Sequence, residues 1–131
     1  MKYQLSPNQK KAKERLCVAL DLESPAQAMR YTNVLREYAS YFKVGKRLFI
    51  GSANEGVAIV KCVSALSGAD EPNIFLDLKL HDIPKQVYDA ARACVTTGLS
   101  LLSVHVSGGE VMCKKAMEGV QEGAITKGLP A

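Results

Sequence analysis

FLDLKLHDIP, residues Phe75 to Pro84, is an apolar run broken by charge at alternate places. Side chains alternate across a strand with period two, so Leu76, Leu78 and Leu80 share one face while Asp77 and Lys79 share the other. The leucines can pack beneath covering helices, which leaves Asp77 and Lys79 facing a barrel interior. Burying either charge alone is costly, so the two must pair with each other or with further charges. Lys43 and Asp82 can complete an alternating network of two ammonium and two carboxylate groups. The competing reading is an edge strand with one solvated face. The apolar residues on the other strands speak against it.

Working outward, the chain alternates short apolar runs with amphipathic segments. Ser6-Pro7 and Ser24-Pro25 both look like helix starts, with Ser as N-cap, Pro at the first helical position and Gln9 or Gln27 at the capping-box position. Strands are expected at Leu16 to Leu20, Tyr41 to Val44, Ile74 to Leu80 and Leu101 to Val106. Gly45 and Gly51 are read as bracketing a loop. Val57, Val60 and Val63 mark one face of a helix ending near Gly68. Further helices are expected from Ile83-Pro84 to a stop at Gly98, and from about Glu110 to Val120. Strands that are apolar on both faces and separated by helices imply parallel pairing under helical cover. The expected class is α/β, as one domain over residues 1–131 with four βα units. That is half of a (βα)8 TIM barrel, which takes about 250 residues. A small doubly wound sheet also fits, but no Gly-rich fingerprint follows the first strand, which argues against a dinucleotide site.

With 47% hydrophobic and 23% charged residues, the chain can bury a core. No stretch approaches the roughly 18 apolar residues needed to cross a bilayer, and no apolar secretory segment follows the N-terminus, which points to the cytosol. Cys17, Cys62, Cys94 and Cys113 form no C-x-x-C pair. They are read as buried, reduced thiols rather than a zinc site. The net charge of +4 owes much to Lys10, Lys11, Lys13 and Arg15. Without interleaved aromatics, that run is read as a solvated helix face rather than a nucleic-acid site.

Asp21, Lys43, Asp77, Lys79 and His105 all fall at or near the C-terminal ends of expected strands. In parallel α/β folds that edge holds the active site. A lysine held between carboxylates keeps its proton. It is then a poor Schiff-base nucleophile and a good fixed cation or proton donor, suited to stabilising and protonating a carbanion.

The segment Phe75 to Pro84 closely resembles the signature D-x-K-x-x-D-I-P of the orotidine 5′-monophosphate decarboxylases. VALD (Val18 to Asp21), FKVG (Phe42 to Gly45) and SVHVSGG (Ser103 to Gly109) resemble that family's first, second and fourth strands, in order, so the resemblance covers essentially the whole chain. It implies a pyrimidine-biosynthetic barrel enzyme that uses no metal and no organic cofactor. Asp21 and Lys43 would hold the ribose hydroxyls, with Lys43 also in the charged network. Asp77 would sit beside the leaving carbon dioxide, and Lys79 would protonate C6 of the pyrimidine. Asp82, with Ile83, would reach across a homodimer interface into the partner's site. His105 matches a family position and is read as a packing or supporting histidine. Two departures stand out. Lys85-Gln86 replaces the family's frequent Asn-Thr, leaving Gln86 as the candidate for the ribose contact. Lys46-Arg47 replaces a more apolar, acidic pair.

The family's phosphate-binding glycine and arginine belong to a second half that this sequence lacks. Gly128-Leu129-Pro130-Ala131 reads as the approach to a fifth strand, so a fragment or one piece of a split protein is expected. Two other functions fit the pattern. One is a Mg²⁺-dependent sugar-phosphate decarboxylase or aldolase on the same barrel. The other is a non-catalytic half-barrel that complements another chain.

Overall fold

A computed structural model describes residues 4–67, 73–96 and 98–129. Its elements run α1 (Pro7–Lys13), β1 (Cys17–Ala19), α2 (Pro25–Leu35), β2 (Tyr41–Gly45), α3 (Lys46–Asn54), α4 (Ile59–Ser67), β3 (Ile74–Leu80), α5 (Pro84–Cys94), β4 (Leu99–Val104), a 3-10 turn (Val106–Gly108) and α6 (Glu110–Thr126). The strands form one parallel sheet in the order β1-β2-β3-β4. β3 is therefore internal rather than an edge strand. Sequential parallel order with helical crossovers is the winding of a (βα)8 barrel, of which these are four consecutive strands.

The register sorts the sheet into two faces. Phe42, Val44, Ile74 and Leu76 are buried, joining Ala28, Leu48, Ile59 and Val63 from α2, α3 and α4 in one core. A smaller core gathers Val87, Met112 and Ala116 from α5 and α6, with Leu80 and Val104 from the sheet. The opposite face carries Lys43, Phe75, Asp77 and Leu101, and its outer members Cys17, Ala19 and Leu101 are exposed. The described helices pack against the side bearing Phe42 and Leu76, which leaves the Asp77 face uncovered, as expected of strands whose other side lines a barrel interior. An apolar cavity of about 350 Å³ lies behind that side, between α3, α4 and α5, lined by Phe49, Val57, Val60, Leu76 and Cys94. It faces away from the charged residues.

The local signals work unevenly. Ser6 forms the full capping box with Gln9, whereas Ser24 makes no side-chain cap bond. The loop expected after β2 is instead α3. Gly45 serves as its N-cap, and Leu48 and Ser52 are buried against the core, so tertiary burial overrides two glycines. Helix α6 continues past Val120 to Thr126 because Gly119 and Gly123 lie against α5. A Cβ at Gly119 would stand 2.3 Å from the Tyr88 carbonyl oxygen. β1 is shorter than expected, and β4 begins and ends two residues earlier. The stop at Gly68 and the last two residues of the expected fifth-strand approach lie outside the described residues. Gly128, in that approach, is a turn with positive φ.

All four cysteines are free, but Cys17 is exposed and the other three half-buried. That corrects the expectation of fully buried thiols: Cys17 points from the uncovered face of β1. The basic run Lys10 to Lys13 closes α1, a helix with no buried residue. Among the described residues no single helix is long and apolar enough to cross a membrane; only the sharply bent pair α3 and α4 together reaches that length and apolarity.

Candidate active site

The C-terminal ends of β1, β2, β3 and β4 bring polar groups, most of them charged, to one edge of the open face. Asp21 follows β1, Lys43 lies on β2, Asp77 and Lys79 on β3, and Ser103 on β4. Lys43 Nζ donates to Asp21 Oδ1 at 3.3 Å and to Asp77 Oδ2 at 3.2 Å. Lys79 Nζ donates to both Asp77 oxygens at 2.7 Å. The result is an alternating chain: Asp21, Lys43, Asp77, Lys79. Gly45 leaves room for it, since a Cβ there would come within 3.3 Å of Asp21 Oδ1.

Asp77 is the hub. Its side chain is only 11% exposed, against 50% for Lys79, so an anion has been taken from water and its lone pairs replaced by donors. Lys79 serves both oxygens, Lys43 serves Oδ2 and the Ser103 hydroxyl serves Oδ1 at 2.8 Å. The Lys79 hydrogen bonds, opposed by burial and aided by Ser103 and Lys43, hold the Asp77 carboxyl down at about 2, from an ordinary 3.8. For Lys43 burial works against the charge, but its bonds to Asp77 and Asp21 outweigh that and raise its pKa.

A folded-state value below the unfolded one confers stability that is present above about pH 4 and lost as pH falls towards 2. The shift from 3.8 to about 2 corresponds to roughly 2 kcal/mol. Acid unfolding of the native protein is therefore expected to lose roughly 2 kcal/mol more between about pH 5 and pH 2 than unfolding of Asp77→Asn. Equal slopes for the two proteins through that range would show that Asp77 carries no such linkage.

Lys79 has a backbone φ of 51°, the one positive value at a non-glycine among the described residues. A left-handed conformation at a residue with a Cβ costs about 1–2 kcal/mol, and such strain collects at functional sites. It coincides with a break in the β3–β4 register between Leu76 and Leu80. At that break the Lys79 amide donates to Ser103 Oγ at 2.9 Å.

Asp82 does not join the chain of charges. Its carboxylate accepts from the adjacent Ile83 amide at 2.7 Å, and Asp21 takes the place in the network expected for it. Asp82, Ile83 and Gln86 are all exposed at the start of α5. His105 is exposed too, its ring 5.3 Å from that of His81. Sequence reasoning assigned no role to Ser103 or His81. For Ser103 the signal was its place in β4, two residues after Leu101 and hence on the same face as Asp77. Among the described residues no group of three or more His, Cys, Asp or Glu side chains converges as a metal site.

This arrangement lies within the stretch that a family model matches, residues 14–129. The chain belongs to the orotidine 5′-phosphate decarboxylase / HUMPS family. It is 39% identical over 120 residues to an orotidine 5′-phosphate decarboxylase of Moorella thermoacetica, a match covering 92% of this chain and 45% of that protein. A second, from an Anaeromyxobacter species, is 41% identical over 86% of this chain and 47% of its own length. The crystal structure of orotidine 5′-phosphate decarboxylase from Lactobacillus acidophilus superimposes with a TM-score of 0.68 at 32% identity, covering 88% of this chain and 47% of the other. The chain thus spans about half the length of the curated relatives it matches. For this family member the matched region contains the whole alternating chain of charges, from Asp21 to Lys79.

Proposed function

We propose that this chain carries the catalytic strand of an enzyme converting orotidine 5′-phosphate to uridine 5′-phosphate. The observation that carries the reading is the Asp77–Lys79 pair at the C-terminal edge of β3, in a chain about 40% identical to named decarboxylases. The C6–carboxylate bond breaks and its electron pair stays on C6 as carbon dioxide leaves. Lys79 Nζ then delivers a proton to C6. Asp77 lies beside the departing carboxylate and fixes the Lys79 ammonium. Asp21 and Lys43 hold the ribose hydroxyls. Preorganised charges of this kind stabilise a developing carbanion without reorganising at the moment of reaction, so the reaction proceeds without a metal or organic cofactor.

The exposed start of α5 fits a role across a subunit boundary. Asp82 and Ile83 reach into the site of a second copy, Gln86 offers an amide to a ribose hydroxyl there, and His105 with His81 packs beside the strand ends. The enzyme is then a homodimer acting on a small nucleotide in the cytoplasm.

The reading is tested by steady-state assay of the active polypeptide that contains this sequence, following loss of orotidine 5′-phosphate with and without EDTA. Turnover unaffected by EDTA is expected. Turnover of a sugar phosphate that EDTA abolishes, with orotidine 5′-phosphate untouched, would replace this reading with that of a metal-dependent relative.

A further inference from the structure

We propose that Ser103 is a positioning residue that sets the catalytic geometry of Lys79 by holding its backbone in the left-handed conformation while clamping Asp77. The inference rests on the decarboxylase reading for its kinetic consequences, but its structural content stands apart from it. A hydroxyl has one hydrogen and two lone pairs. The Lys79 amide points its hydrogen at Ser103 Oγ, at 2.9 Å, so Oγ is the acceptor in that contact. The hydroxyl hydrogen is thereby left for Asp77 Oδ1, at 2.8 Å. One side chain on β4 therefore bonds both functional residues of β3, to the backbone of one and the carboxylate of the other.

The position matters because the sheet gives no regular alternative there. The β3–β4 ladder pairs Leu76 with Leu102 and resumes only at Leu80 with Val104. Lys79 lies inside that irregular step, with φ 51°. The same turn of the backbone lets Nζ meet both Asp77 oxygens at 2.7 Å. Without the hydroxyl, the Lys79 amide loses its acceptor and Asp77 loses one of its donors together. The ammonium is then free to leave the place from which it donates.

Ser103→Ala removes both bonds, Ser103→Val removes both while filling the space, and Ser103→Thr keeps a hydroxyl. Small misplacements of a catalytic group cost up to about 100-fold in rate, so kcat is expected to fall roughly 10- to 100-fold in the alanine and valine variants. KM is expected to stay within about threefold, because the lost interaction serves the chemical step. Threonine is expected to restore kcat to within about threefold of wild type. A merely structural serine would give valine and threonine the same kcat.

Two readouts do not need turnover. The Asp77 carboxyl, followed by ¹³C NMR, is expected to titrate at higher pH in Ser103→Ala than in wild type, and the crystal structure of that variant is expected to show Lys79 relaxed to negative φ. Unchanged kcat in Ser103→Ala, or valine matching threonine, would overturn the proposal. So would a variant whose Asp77 titration and Lys79 φ both match wild type. If the wild-type protein fails to decarboxylate orotidine 5′-phosphate while these two readouts still move, the functional reading falls and the positioning role stands.

Discussion

Lys79→Ala is expected to lower decarboxylation at least roughly 10³-fold while nucleotide binding stays measurable, since a positioned proton donor contributes about 10²–10⁴-fold and this one also neutralises the adjacent carboxylate. The separation of chemistry from folding follows from the pattern of contacts. Lys79 is half exposed, so its loss opens no deep cavity. Asp77 keeps the Lys43 ammonium at 3.2 Å and the Ser103 hydroxyl at 2.8 Å, so the buried carboxylate is not left bare. Asp21 and Lys43, proposed to hold the ribose, are untouched. The measurements are single-turnover release of carbon dioxide and calorimetric binding of uridine 5′-phosphate, the product. A variant that kept a tenth of wild-type turnover would show that Lys79 is not the essential donor.

The second large effect is a gain. If Asp82 serves the neighbouring site, an Asp82→Asn dimer and a Lys79→Ala dimer should each be nearly inactive, and activity should appear when their subunits exchange. In a mixed dimer one site takes Lys79 from the first chain and Asp82 from the second, and is intact, while the other site lacks both. Random exchange of equal amounts makes half the dimers mixed, so activity should rise to about a quarter of wild type. The structural motive is that Asp82 stands outside its own chain's network, bonded to the Ile83 amide, and that Ile83 beside it is 63% exposed. The check is activity after subunit exchange, with mixed dimers verified by mass. Near-zero activity in a preparation shown to contain them would place Asp82 in its own subunit's site.

Much of this was legible in the sequence, and the rest fails for identifiable reasons. The alternation in Phe75 to Leu80 correctly put Asp77 and Lys79 together and the leucines towards the helices, because period two is a property of the strand itself. The gathering of Asp21, Lys43, Asp77 and Lys79 at one edge followed from their places at strand ends. Helix α3 was hidden because Gly45 and Gly51 suggested a loop, whereas burial of Leu48 and Ser52 decides the matter through contacts distant in sequence. The same holds for the last turns of α6, where glycine permits close approach to α5 instead of ending the helix. The left-handed Lys79, and the bond from its amide to Ser103, lay beyond reach of local pattern, since they depend on a register break between β3 and β4. Within one chain Asp82 bonds the Ile83 amide and Asp21 pairs with Lys43, a distinction that charge complementarity alone does not make.

The two cores meet along β3, on the face opposite the charged groups. Leu76 and Leu78 belong with α2, α3 and α4, while Leu80 and Val104 belong with α5 and α6. Asp77 and Lys79 are thus strung along a single strand between two hydrophobic anchorages, and Ser103 ties that strand to β4 beside the crossing. Cooperative opening units in proteins tend to follow such separate cores. A fluctuation that loosens the α5–α6 pair is expected to act on the far end of β3 and to leave its near end held by the larger core. The alignment of Asp77 with Lys79 is therefore expected to depend on two cohesive bodies, and to last only as long as the weaker of them holds.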